Sequence, residues 1–153
     1  MSHVAVVKVI IKSLECLRRA GERLGLQLNL GQGTFKWFGQ WMNDYDAQNA
    51  AYRSGIKTED YGKCLHALVI PGDDEAYEIG VCANPKGEGF VLAYDFYGPG
   101  QKLLARAGPD CQILVQEYAA QVAEMEAQEL LAQGFQVQRQ ALPNGDLQLI
   151  LTN

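Results

Sequence analysis

Residues 3–11 are almost continuously apolar, with Val4, Val6, Val7, Val9, Ile10 and Ile11 falling on both faces of an extended chain. That pattern predicts a central buried strand. Ser13 follows as a helix cap, because a serine oxygen can accept a backbone N–H left free in the first turn. Leu14, Leu17 and Leu24 recur at helical spacing, while Glu15, Arg18, Arg19, Glu22 and Arg23 fall on other sides. The spacing predicts an amphipathic helix over 14–24, closed by Gly25. Leu26, Leu28 and Leu30 then alternate with Gln27 and Asn29, a half-buried strand that stops at Gly31, Gln32 and Gly33.

Residues 34–42 concentrate Phe35, Trp37, Phe38 and Trp41, and residues 43–63 run polar between Tyr45, Tyr52 and Tyr61. Neither a helical nor a strand period holds there, so the chain makes a long excursion with one short turn of helix at 47–52. Regular patterning resumes at 65–70, a strand ended by Pro71 and Gly72. Strands at 77–82 and 89–97, joined by a turn at Asn84, Pro85, Lys86 and Gly87, form an antiparallel hairpin. Pro109 opens a long helix with a stripe of Leu114, Tyr118, Val122 and Met125, stopped by Gly134. Residues 135–141 and 147–151 alternate around Asn144 and Gly145, a second hairpin. The predicted fold is α+β: a mixed, mainly antiparallel sheet with two helices packed on one face.

Composition narrows the class. The 153 residues fit a single domain over 1–153, with 48% apolar and 20% charged residues, enough to build a core. Thirteen basic against 18 acidic residues give a net charge of −5, the wrong sign for gripping a nucleic-acid backbone directly. No apolar run approaches the ~18 residues of a membrane span, and no basic region precedes the first apolar stretch, so the expected setting is cytoplasmic. The four cysteines, Cys16, Cys64, Cys82 and Cys111, include no C-x-x-C pair, which argues for free thiols and against a zinc site. Two histidines, His3 and His66, lack any metal-motif spacing, so no metal and no cofactor are expected.

Candidate chemistry is sparse. Cys64 and His66 stand two apart, which on a strand would place them on one face as a nucleophile and base. Glu78 and Asp95 are set opposite each other if the middle hairpin pairs in register, but by alternation both face solvent. Gly31, Gln32 and Gly33 lack the third glycine and the lysine of a phosphate loop and read as a turn. The aromatic group Phe35, Trp37, Phe38, Trp41 and Tyr45 is the most unusual feature, with two readings: core filling or a partner-binding surface. A second possible site is a ligand pocket using His66, Asp95 and Tyr97 beneath the excursion.

Met1, Ser2 and His3 leading into a strand with Lys8, Leu14-Glu15-Cys16-Leu17 on a helix, and Tyr77-Glu78-Ile79-Gly80 form an ordered set. Asp95-Phe96-Tyr97, Tyr118-Ala119 and Gly134-Phe135 continue it. In this order they resemble a small family of conserved hypothetical proteins of unknown function encoded in red-algal plastids, cyanobacteria, other bacteria and tailed phages. Family members are shorter, which makes 42–63 an insertion. The resemblance implies no catalytic or binding residue; its gene neighbourhoods imply an accessory role beside an AAA-type ATPase. The expectation is a non-catalytic binding or accessory module acting through protein–protein contact, as a homodimer through a sheet edge or with another protein. The alternative is a small-molecule-binding protein or minor enzyme with a pocket between the sheet and residues 34–63.

Overall fold

In a computed structural model describing residues 5–37, 62–96, 98–134, 136–143 and 147–152, the predicted serine cap forms. The Ser13 hydroxyl accepts the Cys16 N–H at 3.1 Å and starts helix α1 (Leu14–Arg23) directly after strand β1 (Ala5–Ile11). The chain continues through β2 (Gln27–Leu30), β3 (His66–Val69), β4 (Ile79–Ala83) and β5 (Phe90–Tyr94). Two further helices, α2 (Gln101–Ala107) and α3 (Gln112–Ala132), precede β6 (Gln136–Ala141) and β7 (Leu147–Thr152). The fold is α+β, as the hydrophobic pattern predicts.

Strand order in the main sheet is β1-β5-β4-β3-β2, and each neighbouring pair is antiparallel. β1 and β2 therefore run the same way at opposite edges and never pair. Four strand spacings of ~4.8 Å separate them, so the chain through α1 crosses the whole ~19 Å width of the sheet. The placement corrects one expectation: β1 is an edge strand, not a central one. Its apolar run has another cause, since Val7 and Ile11 join the core under the helices while Ile10 packs on the opposite face. A strand apolar on both sides reports two covered faces, and an edge position satisfies that as well as a central one.

One face is covered by the helices. Leu17 and Ala20 of α1, Leu103 and Ala107 of α2, and Leu114 and Tyr118 of α3 pack on Leu68, Ile79, Val81 and Leu92. Each buried leucine contributes on the order of 2 kcal/mol by transfer alone. The long helix begins three residues later than Pro109 suggested, because residues 109–111 form a 3-10 turn in which Asp110 and Cys111 both adopt positive φ. α2 was masked in the sequence by Gly98, Pro99 and Gly100, which form a 3-10 turn that feeds the helix. A Cβ on Gly100 would lie within 1.9 Å of the Asp95 carbonyl oxygen, so glycine is what lets this turn close on the end of β5. β6 and β7 pair with each other, form a separate two-stranded sheet and pack along α3.

A tyrosine ties the helical layer to the first crossover. The buried Tyr118 hydroxyl accepts the Lys12 N–H at 2.9 Å and the Ser13 N–H at 3.1 Å, where β1 turns into α1. Two backbone donors in a partly buried corner are otherwise hard to satisfy. Tyr118→Phe is expected to lower stability by about 1–3 kcal/mol in urea unfolding while leaving the far-ultraviolet circular dichroism unchanged.

Candidate functional site

The face opposite the helices is built around a missing side chain. Gly80 on β4 has no Cβ, and one placed there would lie 2.4 Å from Cδ1 of Phe35. The Phe35 ring occupies that space and, with Trp37, covers Ala67, Cys82, Val91 and Ala93. Both aromatic residues are buried, at 5% and 6% exposure. A short ladder holds their segment in place: Cys64 N–H donates to the Gly33 carbonyl, Phe35 N–H donates to the Gly62 carbonyl, each at 2.9 Å, and Thr34 bridges Lys63. The excursion is thus closed at its base, on the second face of the sheet.

Beside this base, at the open end of β2, lies a cleft of about 280 Å³. Its walls come from three separated stretches: Gln27 and Asn29 on β2, Lys36 beside Phe35, and Asp73, Asp74 and Glu78 between β3 and β4. A relay of amides runs along it. Gln27 Nε2 donates to Asn29 Oδ1 at 2.8 Å, Asn29 Nδ2 donates to Gln32 Oε1 at 3.1 Å, and Gln32 Nε2 donates to Glu78 Oε1 at 3.0 Å. Glu78 Oε1 also accepts the Lys36 N–H at 3.0 Å, so one carboxylate staples the aromatic segment to the sheet. Lys36 Nζ donates to the Asp74 carbonyl at 2.7 Å. Asp73 accepts the N–H groups of Glu75 and Ala76 and pairs with Lys102 at 2.7 Å, contacts that hold its carboxyl below the usual range, the Lys102 bond foremost.

The residues singled out in the sequence are distributed differently. Phe35 and Trp37 are in the second core; Phe38, Trp41 and Tyr45 lie outside the described residues, as do His3 and Tyr97. His66 sits at the start of β3 in register with Val81, which pairs Leu92, whereas Asp95 lies three residues farther along β5 and past its end. At ~3.3 Å per residue and ~4.8 Å per strand that is about 14 Å, so these two do not meet in one pocket. His66 Nδ1 instead accepts the Gly31 N–H at 2.9 Å, and its ring packs edge-on to Phe90. Asp95, expected to face solvent, is 2% exposed, because the second face is covered and its end closed by Gly100. Glu78 is half-buried for the same reason.

Cys64 and His66 do not share a face either. β3 begins at His66, and Cys64, still in the ladder with Gly33, packs on the second core and donates its thiol to the Gln32 carbonyl at 3.1 Å. Burial, then the nearby Glu78 charge, pushes the Cys64 thiol up to about 11, and burial pushes Cys82 up to about 12. A thiolate is the nucleophilic form, so both are poor nucleophiles near neutrality. Among the described residues no group of three or more His, Cys, Asp or Glu is placed to hold a metal ion, and no helix is long and apolar enough to cross a membrane. Of the cleft, Glu78 was marked in the sequence; Gln27 and Asn29 showed there as the polar half of a strand alternation, without a sign of what they would face.

No family model, curated protein or solved structure matches this chain. The family likeness read in the sequence accordingly assigns no role to any residue of the cleft.

Two measurements check this geometry. At pH 8, iodoacetamide should alkylate Cys64 and Cys82 in the folded protein at least about a hundredfold more slowly than in urea, since a pKa near 11 leaves about one thiol in a thousand ionised. Peptide mass spectrometry reads the rates. Gly80→Ala should destabilise by about 1–3 kcal/mol through overpacking against Phe35, and the penalty should shrink when Phe35→Ala is made in the same chain.

Proposed function

We propose that this chain is a non-catalytic binding module that works through protein–protein contact at the open β2 edge of its sheet. The observation that carries the reading is Leu30, which stands 66% exposed on the last strand of the sheet. Single exposed aliphatics are ordinary, but an open strand edge is a template for pairing and is normally blunted or covered. The polar groups around it support binding over chemistry: the Cys64 thiol, the His66 Nδ1 and the Glu78 carboxylate are each engaged in bonds that hold the fold. The AAA-type ATPase implied by the sequence resemblance is the first partner to test, and a second copy of the chain meeting edge to edge is the next.

A second reading is favoured by one observation. The cleft lies between the sheet and Lys36, at the start of the excursion, and offers room for a small molecule, although neither His66 nor Asp95 lines it. Affinity capture from native extract with mass spectrometry, together with light scattering on the purified chain, separates the two. Leu30→Glu should change stability by less than about 0.5 kcal/mol, because the side chain is largely in water, and should abolish recovery of a stoichiometric protein. A protein still recovered at full yield with Leu30→Glu would remove the edge from the interface. A co-purifying metabolite in the absence of any protein would favour the small-molecule reading.

A further inference from the structure

We propose that the free edge of β2 and the cleft beside it form one site for an extended peptide segment that alternates apolar and basic side chains. The inference rests on the protein-contact reading and names the chemistry of the partner. β2 is the terminal strand of the sheet, and among the described residues it pairs on one side, with β3. In an antiparallel ladder alternate residues turn both their N–H and C=O to the same side, so two of the four residues of β2 present theirs outward. Such an edge accepts an added strand through main-chain bonds that carry no sequence preference.

The two faces of β2 supply the preference. Side chains of an added strand lie within ~5.5 Å of those opposite them on the same face. On the helix-covered face they would meet Leu28, partly buried, and Leu30, two-thirds exposed, and an apolar side chain there would take Leu30 out of water. On the other face they would meet Gln27 and Asn29, which register with Val69 and Ala67 and form a wall of the cleft.

The polarity of the cleft selects a cation. Gln27 and Asn29 each direct one of their two N–H donors inward, toward Glu78, Gln32 spends its donors on Glu78 and the Thr34 carbonyl, and Gln27 Oε1, at the outer end, receives no donor from the relay. The lining charges are Asp73, Asp74 and Glu78 against Lys36; pairing of Asp73 with Lys102 still leaves two carboxylates against one ammonium. Asp74 is exposed at the rim, and the Lys36 ammonium is drawn to its main-chain carbonyl. An arginine, with five donors in a planar fork, matches a wall of amide and carboxylate oxygens better than a neutral or acidic side chain does. The chain's net charge of −5 would steer such a segment toward it.

The test is a titration of the ¹⁵N-labelled full chain with acetyl-Val-Arg-Val-Arg-Val-amide, followed by proton–nitrogen correlation spectra. Two control peptides are used, one with citrulline replacing arginine, the other with N-methyl groups on alternate residues. Saturable shifts confined to residues 27–30, 36 and 69–78 are expected, with each control weaker by roughly tenfold, the loss of one charge-assisted or several neutral hydrogen bonds. Asp74→Asn, at an exposed position, should weaken the arginine peptide roughly tenfold and leave the citrulline peptide unchanged. Raising ionic strength from about 0.01 to about 0.15 M should act in the same direction. Equal binding of arginine and citrulline peptides, shifts elsewhere, or no shifts would overturn the proposal. Binding of free agmatine as tight as that of the peptide would overturn its assignment to a strand. The protein-contact reading survives any of these results if a partner lost with Leu30→Glu is still captured with Asp74→Asn, and the two ideas therefore fail separately.

Discussion

The contact between the Phe35 ring and the bare backbone of Gly80 is what the second half of this molecule depends on. Strands whose outward residues are Ala67, Cys82, Val91 and Ala93 would otherwise expose an apolar face to water. Filling that face with one ring and the neighbouring Trp37 turns a two-layer fold into one with cores on both sides of the sheet. It also decides where the excursion leaves and rejoins: residues 33–35 and 62–64 must lie side by side above β4 for the ring to reach its seat. Glu78, next but one to Gly80, then finds the Lys36 N–H within reach and locks the segment down.

Everything polar near the β2 edge follows from that anchor. Phe35 and Trp37 cover Ala67, Cys82, Val91 and Ala93 in the middle of the second face, and Gln27 and Asn29 line a cleft beside them. A row of amides beside a half-buried carboxylate is stable when each amide nitrogen finds an acceptor, and the relay from Gln27 to Glu78 meets that condition. What is left over is negative charge and the Gln27 amide oxygen beside a strand edge that, among the described residues, pairs on one side alone.

The helical side is held by different means. Here the crossover from β1 to β2 spans the sheet, and its start is fixed by the Tyr118 hydroxyl of α3, over a hundred residues away in the chain. The two cores share the strands but not their fastening: one is closed by a hydroxyl on backbone donors, the other by a ring on a glycine. Burial on both faces also accounts for thiols that resist ionisation, since Cys64 and Cys82 lie in the second core and Cys111 in the first.

The local elements were legible because they follow from near neighbours. Ser13 capping 14–23, the alternation of Leu28 and Leu30 with Gln27 and Asn29, and the hairpin of β4 and β5 each need only a few adjacent residues to be inferred, and each stands in the structure. The edge position of β1, the burial of Asp95, the separation of His66 from Asp95 and of Cys64 from His66, and the cleft itself were not legible. All depend on which segments distant in sequence come to pair with a strand or to cover its face. Periodicity reports that a side is buried; it carries no record of the partner, which strand order and the closing of Phe35 onto Gly80 supply.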